Sequence, residues 1–157
     1  MRLSARLTDA AIRPGDCLQA FVGEGADDGA VVSFCGVARG TAGDGSPVST
    51  LRLDHHPRLT ELSLQRIGAE TAQRFDVSRL LIVHRCGEIA PNEVIVFVAA
   101  AARHRRAAFL AADYLMDRLK TEAVFWKKEV GIDGANWIEP GDEDRAALAR
   151  WETSWPE

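Results

Sequence analysis

Runs of apolar and β-branched residues alternate along this chain with segments rich in glycine, proline, serine and aspartate. Short apolar runs bounded in this way are typical of β-strands, and they predict six strands, at residues 30–37, 48–54, 80–84, 94–98, 125–130 and 136–139. Four other stretches are predicted to be helices, at residues 14–22, 57–75, 104–121 and 142–151. The clearest of them has apolar residues at helical spacing, at Phe109, Ala112, Met116 and Leu119.

The order of these elements predicts the fold class. Pairs of strands alternate with single helices, and consecutive strands joined by short loops favour antiparallel pairing. We therefore expect an α+β fold and not a doubly wound parallel sheet. The expected architecture is an antiparallel sheet with packed helices, α/β-hammerhead-like, plus a small C-terminal β-hairpin subdomain around residues 131–134. The chain has 157 residues, of which 46% are hydrophobic, and this predicts a single domain over residues 1–157.

Charge and hydropathy argue against two classes of protein. The net charge is −4, so no overall positive field attracts nucleic acid. No apolar run approaches the roughly 20 residues that are needed to cross a membrane. The segment after Met1 has no apolar signal-peptide core. We expect a cytoplasmic protein that binds neither nucleic acid nor a membrane.

The cysteines and histidines do not predict a metal site. The chain has three cysteines, and the absence of a C-x-x-C motif argues against a zinc ribbon or a disulfide framework. Cys35 and Cys86 lie in apolar runs and are expected to be buried. His55 and His56 end a predicted strand, where successive side chains point to opposite faces, so they do not form a two-point metal ligand.

A lysine at the end of the helical stripe is the first candidate for chemistry. Lys120 lies four residues after Met116 and eleven after Phe109, so it extends the apolar face of the helix. An amine among apolar side chains loses hydration, which disfavours its charged form and makes it a base or nucleophile near neutral pH. The alternative is a lysine whose stem packs on the helix while its amine reaches water.

Two successive lysines in a predicted strand are the next candidates. The side chains of Lys127 and Lys128 point to opposite faces of that strand. Lys127 shares its face with Phe125 and Glu129, and Lys128 shares its face with Trp126. One lysine could face a cleft, or both could lie on the surface, and the pattern alone does not separate these cases.

A cationic cluster, Arg-His-Arg-Arg at residues 103–106, stands at the start of the predicted helix 104–121. Unpaired backbone N–H groups and the helix dipole stabilise an anion at such a position. His104 and Arg105 are therefore candidates for binding a phosphate or a carboxylate. Arg39 follows a predicted strand and could reach into a site from the end of that strand. The alternative for each of these cations is a solvated surface position.

Several segments, taken together and in order, resemble one protein family. Residues 29–39 (GAVVSFCGVAR) look like its opening strand and the arginine that follows. Residues 53–61 (LDHHPRLTE) resemble the family's L-E-H-Y-P-x-M-T-E segment, and residues 83–91 (VHRCGEIAP) resemble I-H-R-x-G-x-L-x-P. Residues 116–129 complete the match as M-D-x-L-K-x-x-x-x-F-W-K-K-E. The family is the catalytic (large) subunit of molybdopterin synthase, and the resemblance spans about residues 29–137.

The resemblance implies a sulfurtransferase of molybdenum cofactor biosynthesis. The family converts cyclic pyranopterin monophosphate into molybdopterin by inserting two sulfurs to form a dithiolene. The sulfur arrives as a thiocarboxylate on the C-terminal glycine of a small ubiquitin-like subunit, whose tail enters a pocket of the large subunit. Two large subunits form a central homodimer within a heterotetramer, and the site draws residues from both chains. No metal or other cofactor is implied, because the pterin is the substrate and the partner supplies the sulfur.

The family's site residues can be carried over by position. Lys120 matches the lysine nearest the terminal glycine of the partner, with a role in acid–base chemistry or in stabilising the thiocarboxylate. Lys127 matches the second essential lysine, a candidate for substrate contact or for a transient covalent adduct. Arg39, His104 and Arg105 match the pocket for the anion and the pterin. Which of the two lysines is neutral stays open at this point.

Departures from the family pattern are few, and two other functions compete with this one. His56, Arg58 and Ala38 replace the usual tyrosine, glycine and valine, which affects the pocket lining and not the lysines. A non-catalytic adaptor that binds a ubiquitin-like tail predicts loss of a cationic site residue, whereas all five are present. An unrelated phosphate-ester or acyl-transfer enzyme with a lysine base would need no thiocarboxylated partner. Nucleic-acid binding is disfavoured by the acidic charge and an aromatic content of 7%.

Overall fold

The computed structural model describes residues 1–25 and 27–152. Within these residues there are eight strands: β1 (Arg2–Thr8), β2 (Ala30–Val37), β3 (Thr50–His55), β4 (Arg79–Arg85), β5 (Gly87–Ile89), β6 (Val94–Ala102), β7 (Phe125–Gly131) and β8 (Gly134–Ile138). The same residues form four helices: α1 (Pro14–Gly23), α2 (Pro57–Arg74), α3 (Arg105–Glu122) and α4 (Asp142–Ala149).

The first sheet carries the main core. Its strand order is β1-β4-β6-β2. β1 lies parallel to β4 with Arg2 opposite Arg79, whereas β6 is antiparallel to both β4 and β2. Helices α2 and α3 cover one face, and α1 covers the other. Because both faces of the central strands are covered, β4 and β6 are nearly continuous apolar runs.

Small residues let α3 lie close along β6. Ala100 and Ala102 at the end of β6 are fully buried, as are Ala108 and Ala111 of α3. Without larger side chains between them, the helix and the strand can approach closely. The helix begins just after β6 ends and returns along it, so the two ends of α3 lie over opposite ends of the first sheet.

The second sheet packs against one end of the first. Its strand order is β5-β3-β7-β8, with every neighbouring pair antiparallel. Leu53 of β3 and Ile89 of β5 are fully buried, and they form a cluster with Ala38 from the loop after β2. Phe125 of β7 packs against this cluster and against the main core. The cluster therefore joins the two sheets.

The predicted α+β class is confirmed, and so is each predicted helix and strand. β2 has the predicted bounds, 30–37, and the other elements are shifted by a few residues. The largest change is in β6, which continues past residue 98 to Ala102, because alanine has a low strand propensity but fits the crowded space under α3. Cys86 is buried as expected.

The arrangement of the strands differs from the prediction. The strands form two sheets and not one antiparallel sheet, and β1 pairs in parallel with β4. The sequence prediction missed β1, although Leu3, Ala5 and Leu7 alternate toward the core, and it placed no strand at the short β5. The expected pairing of β2 with β3 was also wrong, because a long loop at residues 38–49 carries the chain to the second sheet.

The C-terminal hairpin is not a separate subdomain. β7 pairs with β3 from Thr50 through His55, so β7 and β8 complete the second sheet. The expectation of a buried Cys35 was also wrong. Cys35 is exposed, because β2 is an edge strand and the middle of this strand is largely uncovered.

Candidate active site

Strand pairing decides which lysine of β7 faces inward. Lys127 lies between Leu53 of β3 and Ile138 of β8, and directly paired residues point to the same face of a sheet. Since Leu53 is fully buried, Lys127 faces the cluster that joins the two sheets. Lys128 points to the outer face, where its amine lies 5.2 Å from the ring centre of Trp137.

The surroundings of Lys127 favour its neutral form. Burial lowers the pKa of Lys127, the positive charge of Lys120 lowers it further, and the negative charge of Asp144 partly opposes both effects. A lysine with a lowered pKa supplies a free amine at a pH where an ordinary lysine is almost fully protonated. The desolvation that the sequence suggested for Lys120 therefore applies to Lys127.

Lys120 lies in a more polar environment than its helical position suggested. It stands in the last turn of α3, and its side chain is 54% exposed. Its Nζ lies 2.6 Å from Oδ1 of Asp144, with which it forms an ion pair. The amine of Lys120 therefore lies beside a carboxylate at the surface and not among apolar side chains.

Asp144 is a site residue that the sequence reasoning missed. It lies in the first turn of α4, where its Oδ2 accepts a hydrogen bond from the backbone N–H of Gly141 at 3.2 Å. The hydrogen bond from Lys120 lowers the pKa of Asp144, so the carboxylate is ionised at neutral pH. An acidic residue at a helix start is usually a simple capping group, and only the return of α4 onto α3 reveals its contact with Lys120.

A buried histidine lies beside Phe125, near the inward-facing Lys127. His84 of β4 is 5% exposed, and its ring stacks on Phe125 at a centroid distance of 4.2 Å. Burial lowers the pKa of His84 to about 4, with a smaller effect of the Lys127 charge in the same direction. Nδ1 of the neutral ring donates to the carbonyl of Arg85 at 2.8 Å. A histidine inside an otherwise apolar strand was the available sequence signal.

Arg39 extends from the end of β2 that meets the second sheet. The backbone of the preceding residue, Ala38, exchanges hydrogen bonds with Glu93 and Asn92, just before β6 begins. Ala38 also belongs to the cluster that Phe125 packs against. The side chain of Arg39 is exposed, so it is free to contact a ligand at this end of the molecule.

His104 and Arg105 lie at the opposite end of α3 from Lys120. Sixteen helical positions at 1.5 Å each separate Lys120 from His104 by about 24 Å. Both cationic residues are exposed, and neither makes a side-chain hydrogen bond or ion pair with another described residue. The predicted anion site at the helix start is therefore accessible, but a single chain does not bring it to the two lysines.

The five predicted residues thus form two groups within one chain. Arg39, Lys120 and Lys127 lie at the end where the two sheets meet, and His104 and Arg105 lie at the far end of α3. Within residues 1–25 and 27–152, no cluster of three or more histidine, cysteine, aspartate or glutamate side chains could hold a metal ion. The helices described for those residues include none that is long and apolar enough to cross a membrane.

Comparison with known proteins identifies relatives along almost the whole chain. A sequence model of the MoaE protein family matches residues 7–122. The molybdopterin synthase catalytic subunit of Pseudomonas aeruginosa is 45% identical over 150 residues, which cover 96% of this chain and 99% of that protein. The subunit of the same name from Escherichia coli K12 is 40% identical over 131 residues, covering 83% of this chain and 87% of that protein.

Solved structures lead to the same family. The MoaE protein of Burkholderia ambifaria superposes with a TM-score of 0.76 at 37% identity, covering 98% of this chain and 97% of that one. A crystal structure of molybdopterin synthase from Staphylococcus aureus gives a TM-score of 0.75 at 28% identity, covering 84% of this chain and 94% of that one. From the matched residues, the identities and the shared fold, this chain belongs to the MoaE family of molybdopterin synthase catalytic subunits.

Proposed function

We propose that this chain is the catalytic subunit of a molybdopterin synthase. It converts cyclic pyranopterin monophosphate into molybdopterin with sulfur from the thiocarboxylated C-terminus of a small ubiquitin-like subunit. The observation that carries the proposal is the pair of unlike lysines in a chain of this family. Lys127 is half-buried with a lowered pKa, whereas Lys120 is more than half exposed and lies 2.6 Å from the carboxylate of Asp144.

Lys127 is the group that accepts a proton or forms a transient adduct. A free amine is needed for either role, and burial of Lys127 lowers its pKa toward the range where that form is populated. Its position on β7, between two neighbouring strands of the second sheet, holds the amine on the inner face. Lys128 is the next residue on β7 but points to the outer face, over the ring of Trp137, so it has no part in the reaction.

Lys120 stabilises negative charge. Attack by a thiocarboxylate sulfur needs the anionic tail to be held and the charge that develops on the substrate to be neutralised. A fixed ammonium group supplies both effects. Asp144 orients that ammonium group while leaving it half-exposed, so other faces of the amine can contact a ligand.

A second copy of the chain supplies His104 and Arg105. These residues suit the phosphate of the substrate, because backbone N–H groups at the start of α3 add to their positive charge. About 24 Å of helix separates them from Lys120 within one chain, so one phosphate-bearing substrate of ordinary size does not reach both groups. A homodimer whose α3 starts approach the lysines of the partner subunit completes the site, with one small subunit at each end of a heterotetramer.

The proposal includes no metal and no organic cofactor. The pterin is the substrate, and each thiocarboxylate delivers one sulfur, so one dithiolene consumes two thiocarboxylated tails. We place the reaction in the cytoplasm. All three cysteines are free thiols, which is typical of a reducing compartment.

The experiment is a reconstitution with matched lysine variants. This protein is mixed with a thiocarboxylated ubiquitin-like subunit and cyclic pyranopterin monophosphate, and the dithiolene product is measured. Wild type and Lys128→Met should form product, whereas Lys127→Met should lose roughly 100-fold or more of the rate, the size expected when a general acid–base group is removed. Lys127 and Lys128 are neighbours on one strand, so Lys128→Met controls for the loss of a lysine side chain from β7.

The other outcomes separate the competing functions. Tight binding of the small subunit without product supports the alternative function, a non-catalytic adaptor that binds a ubiquitin-like tail. Product that forms equally well with a carboxylate tail in place of the thiocarboxylate rejects the proposed sulfur source. Equal rates in Lys127→Met and Lys128→Met reject the site while leaving the reaction itself in place.

A further inference from the structure

We infer that the buried Arg85 and the half-exposed Glu93 form an ion pair that positions Arg39 for the reaction. The inference rests on the proposed function, because it assigns a task to residues behind one part of that site. Neither residue contacts Lys120 or Lys127 through a side-chain hydrogen bond or ion pair among the described residues. Their effect on the reaction therefore passes through the backbone next to Arg39.

Arg85 is a buried charge with limited compensation. It is the last residue of β4, and it is 4% exposed. Its Nη2 donates to the carbonyl of Glu88 at 3.0 Å, and its Nη1 lies 3.7 Å from Oε2 of Glu93. Among the described residues, its Nε and Nη1 have no hydrogen-bond acceptor. The carboxylate of Glu93 is thus the main counter-charge for this guanidinium group.

Glu93 closes the turn that leads into β6. Its Oε2 accepts the backbone N–H of Ala90 at 2.8 Å. The turn contains Asn92 in a left-handed conformation, with φ of 70°, which asparagine adopts more readily than most residues. Arg85 contacts both ends of this segment, at the carbonyl of Glu88 and at the carboxylate of Glu93. The turn is therefore fixed to the end of β4.

The same turn holds both backbone groups of Ala38. The Ala38 N–H donates to the carbonyl of Glu93 at 2.9 Å, and the Ala38 carbonyl accepts the N–H of Asn92 at 2.8 Å. These bonds extend the pairing of β2 with β6 beyond the register shift at residues 36 and 37. Arg39 is the next residue, so the turn sets the point and direction from which its exposed side chain leaves the protein.

Stability alone is a poor explanation for this pair. Burying a guanidinium group carries a large desolvation cost, and an apolar side chain of similar volume often stabilises a protein as well or better. A charged pair does offer a fixed geometry, because its attraction acts between particular atoms. Here that geometry connects the end of β4 to the backbone beside Arg39, and a shift of about 1 Å in a substrate-positioning group can lower a rate about 100-fold.

A double-mutant cycle tests the inference. The reconstituted complex is assayed as wild type, Arg85→Met, Arg39→Ala and the double variant, with kcat and KM measured for the pterin. We expect Arg85→Met to lower kcat/KM roughly 10- to 100-fold in the presence of Arg39. In the Arg39→Ala background the same change should cost less than about threefold, since residues that act through one another are not additive.

Val83→Ala is the matched control. Val83 is buried on the same strand and the same face as Arg85, two residues earlier, but makes no contact with the turn through a charge or a hydrogen bond. Its effect on kcat/KM should be the same whether residue 39 is arginine or alanine. Glu93→Gln serves as a second test if Arg85→Met does not fold, because glutamine keeps the contact with Ala90 while removing the counter-charge.

The outcomes distinguish this inference from the proposed function. A wild-type complex that makes no product would remove the proposed function and this inference with it. A wild-type complex that makes product, together with equal losses from Arg85→Met and Glu93→Gln in both backgrounds, would overturn the positioning role alone. The positioning role is supported if the losses from Arg85→Met and Glu93→Gln depend on the presence of Arg39 while the loss from Val83→Ala does not.

Discussion

The buried His84 predicts a specific loss of stability in mild acid. Its pKa is about 4 in the folded protein, below the ordinary value of 6.5, chiefly because burial disfavours the charged ring. Between these two pH values the unfolded chain binds a proton at this residue and the folded chain does not. Acid therefore favours unfolding, and the free energy of unfolding should fall as the pH is lowered from 6.5 toward 4.

The magnitude follows from the same two values. At about 1.4 kcal/mol per pH unit, the interval from 6.5 to about 4 corresponds to about 3 kcal/mol of unfolding free energy. Asp28 and Asp144 also stabilise the folded state, but their pKa values lie below the ordinary 3.8. Their contribution is lost at lower pH, so it does not account for a fall between 6.5 and 4.

The assay is denaturant unfolding at a series of pH values, followed by tryptophan fluorescence. In His84→Gln the fall between pH 6.5 and 4 should be about 3 kcal/mol smaller than in wild type, although the variant is less stable at neutral pH. His104→Gln is the control, because His104 is exposed, and it should keep the wild-type dependence. An equal fall in wild type and His84→Gln would refute the reasoning that this ring is buried in its neutral form.

Three further predictions concern the lysines and the cluster that joins the sheets. The value of kcat should rise with pH through the lowered pKa of Lys127, because the free amine is the active form. This rise should be absent from the residual activity of Lys127→Met. Asp144→Asn should move this rise in kcat to lower pH, because the charge of Asp144 raises the pKa of Lys127. The control is Asp142→Asn, on the same helix but fully exposed, which should leave the pH of the rise unchanged. Leu53→Ala should lower the unfolding free energy by about 2 to 5 kcal/mol, as expected for a fully buried leucine. A change below about 1 kcal/mol in urea unfolding would contradict the packing described for the second sheet.

The predicted helices and strands were recognisable because each of them has a local signal. The apolar spacing of α3 and the β-branched run of β2 identify them without reference to the rest of the chain. β5 has only three residues, which is too short for a period to be recognised. The alternation in β1 was readable, but its partner is a strand 77 residues later, and no local pattern specifies a parallel pairing over that distance.

The candidate site was predictable in its parts and not in its assembly. Alternation along β7 showed that Lys127 and Lys128 face apart, but only pairing with the buried Leu53 decides which one is inside. The pairing of Lys120 with Asp144 depends on how α4 folds back, which is a tertiary contact. The separation of His104 from Lys120, in contrast, followed from the length of the predicted helix.

The parallel pairing of β1 has a consequence for protein synthesis. β1 leaves the ribosome 77 residues before the strand it pairs with, since Arg2 lies opposite Arg79. At typical translation rates of roughly 5 to 20 residues per second, the nascent chain carries an unpaired β1 for about 4 to 15 s. During that time its alternating apolar side chains and free backbone groups are available to chaperones or to other nascent chains. β1 therefore waits unpaired while β2, β3 and α2 are made, and its pairing with β4 is the first strand pairing that this part of the chain can complete.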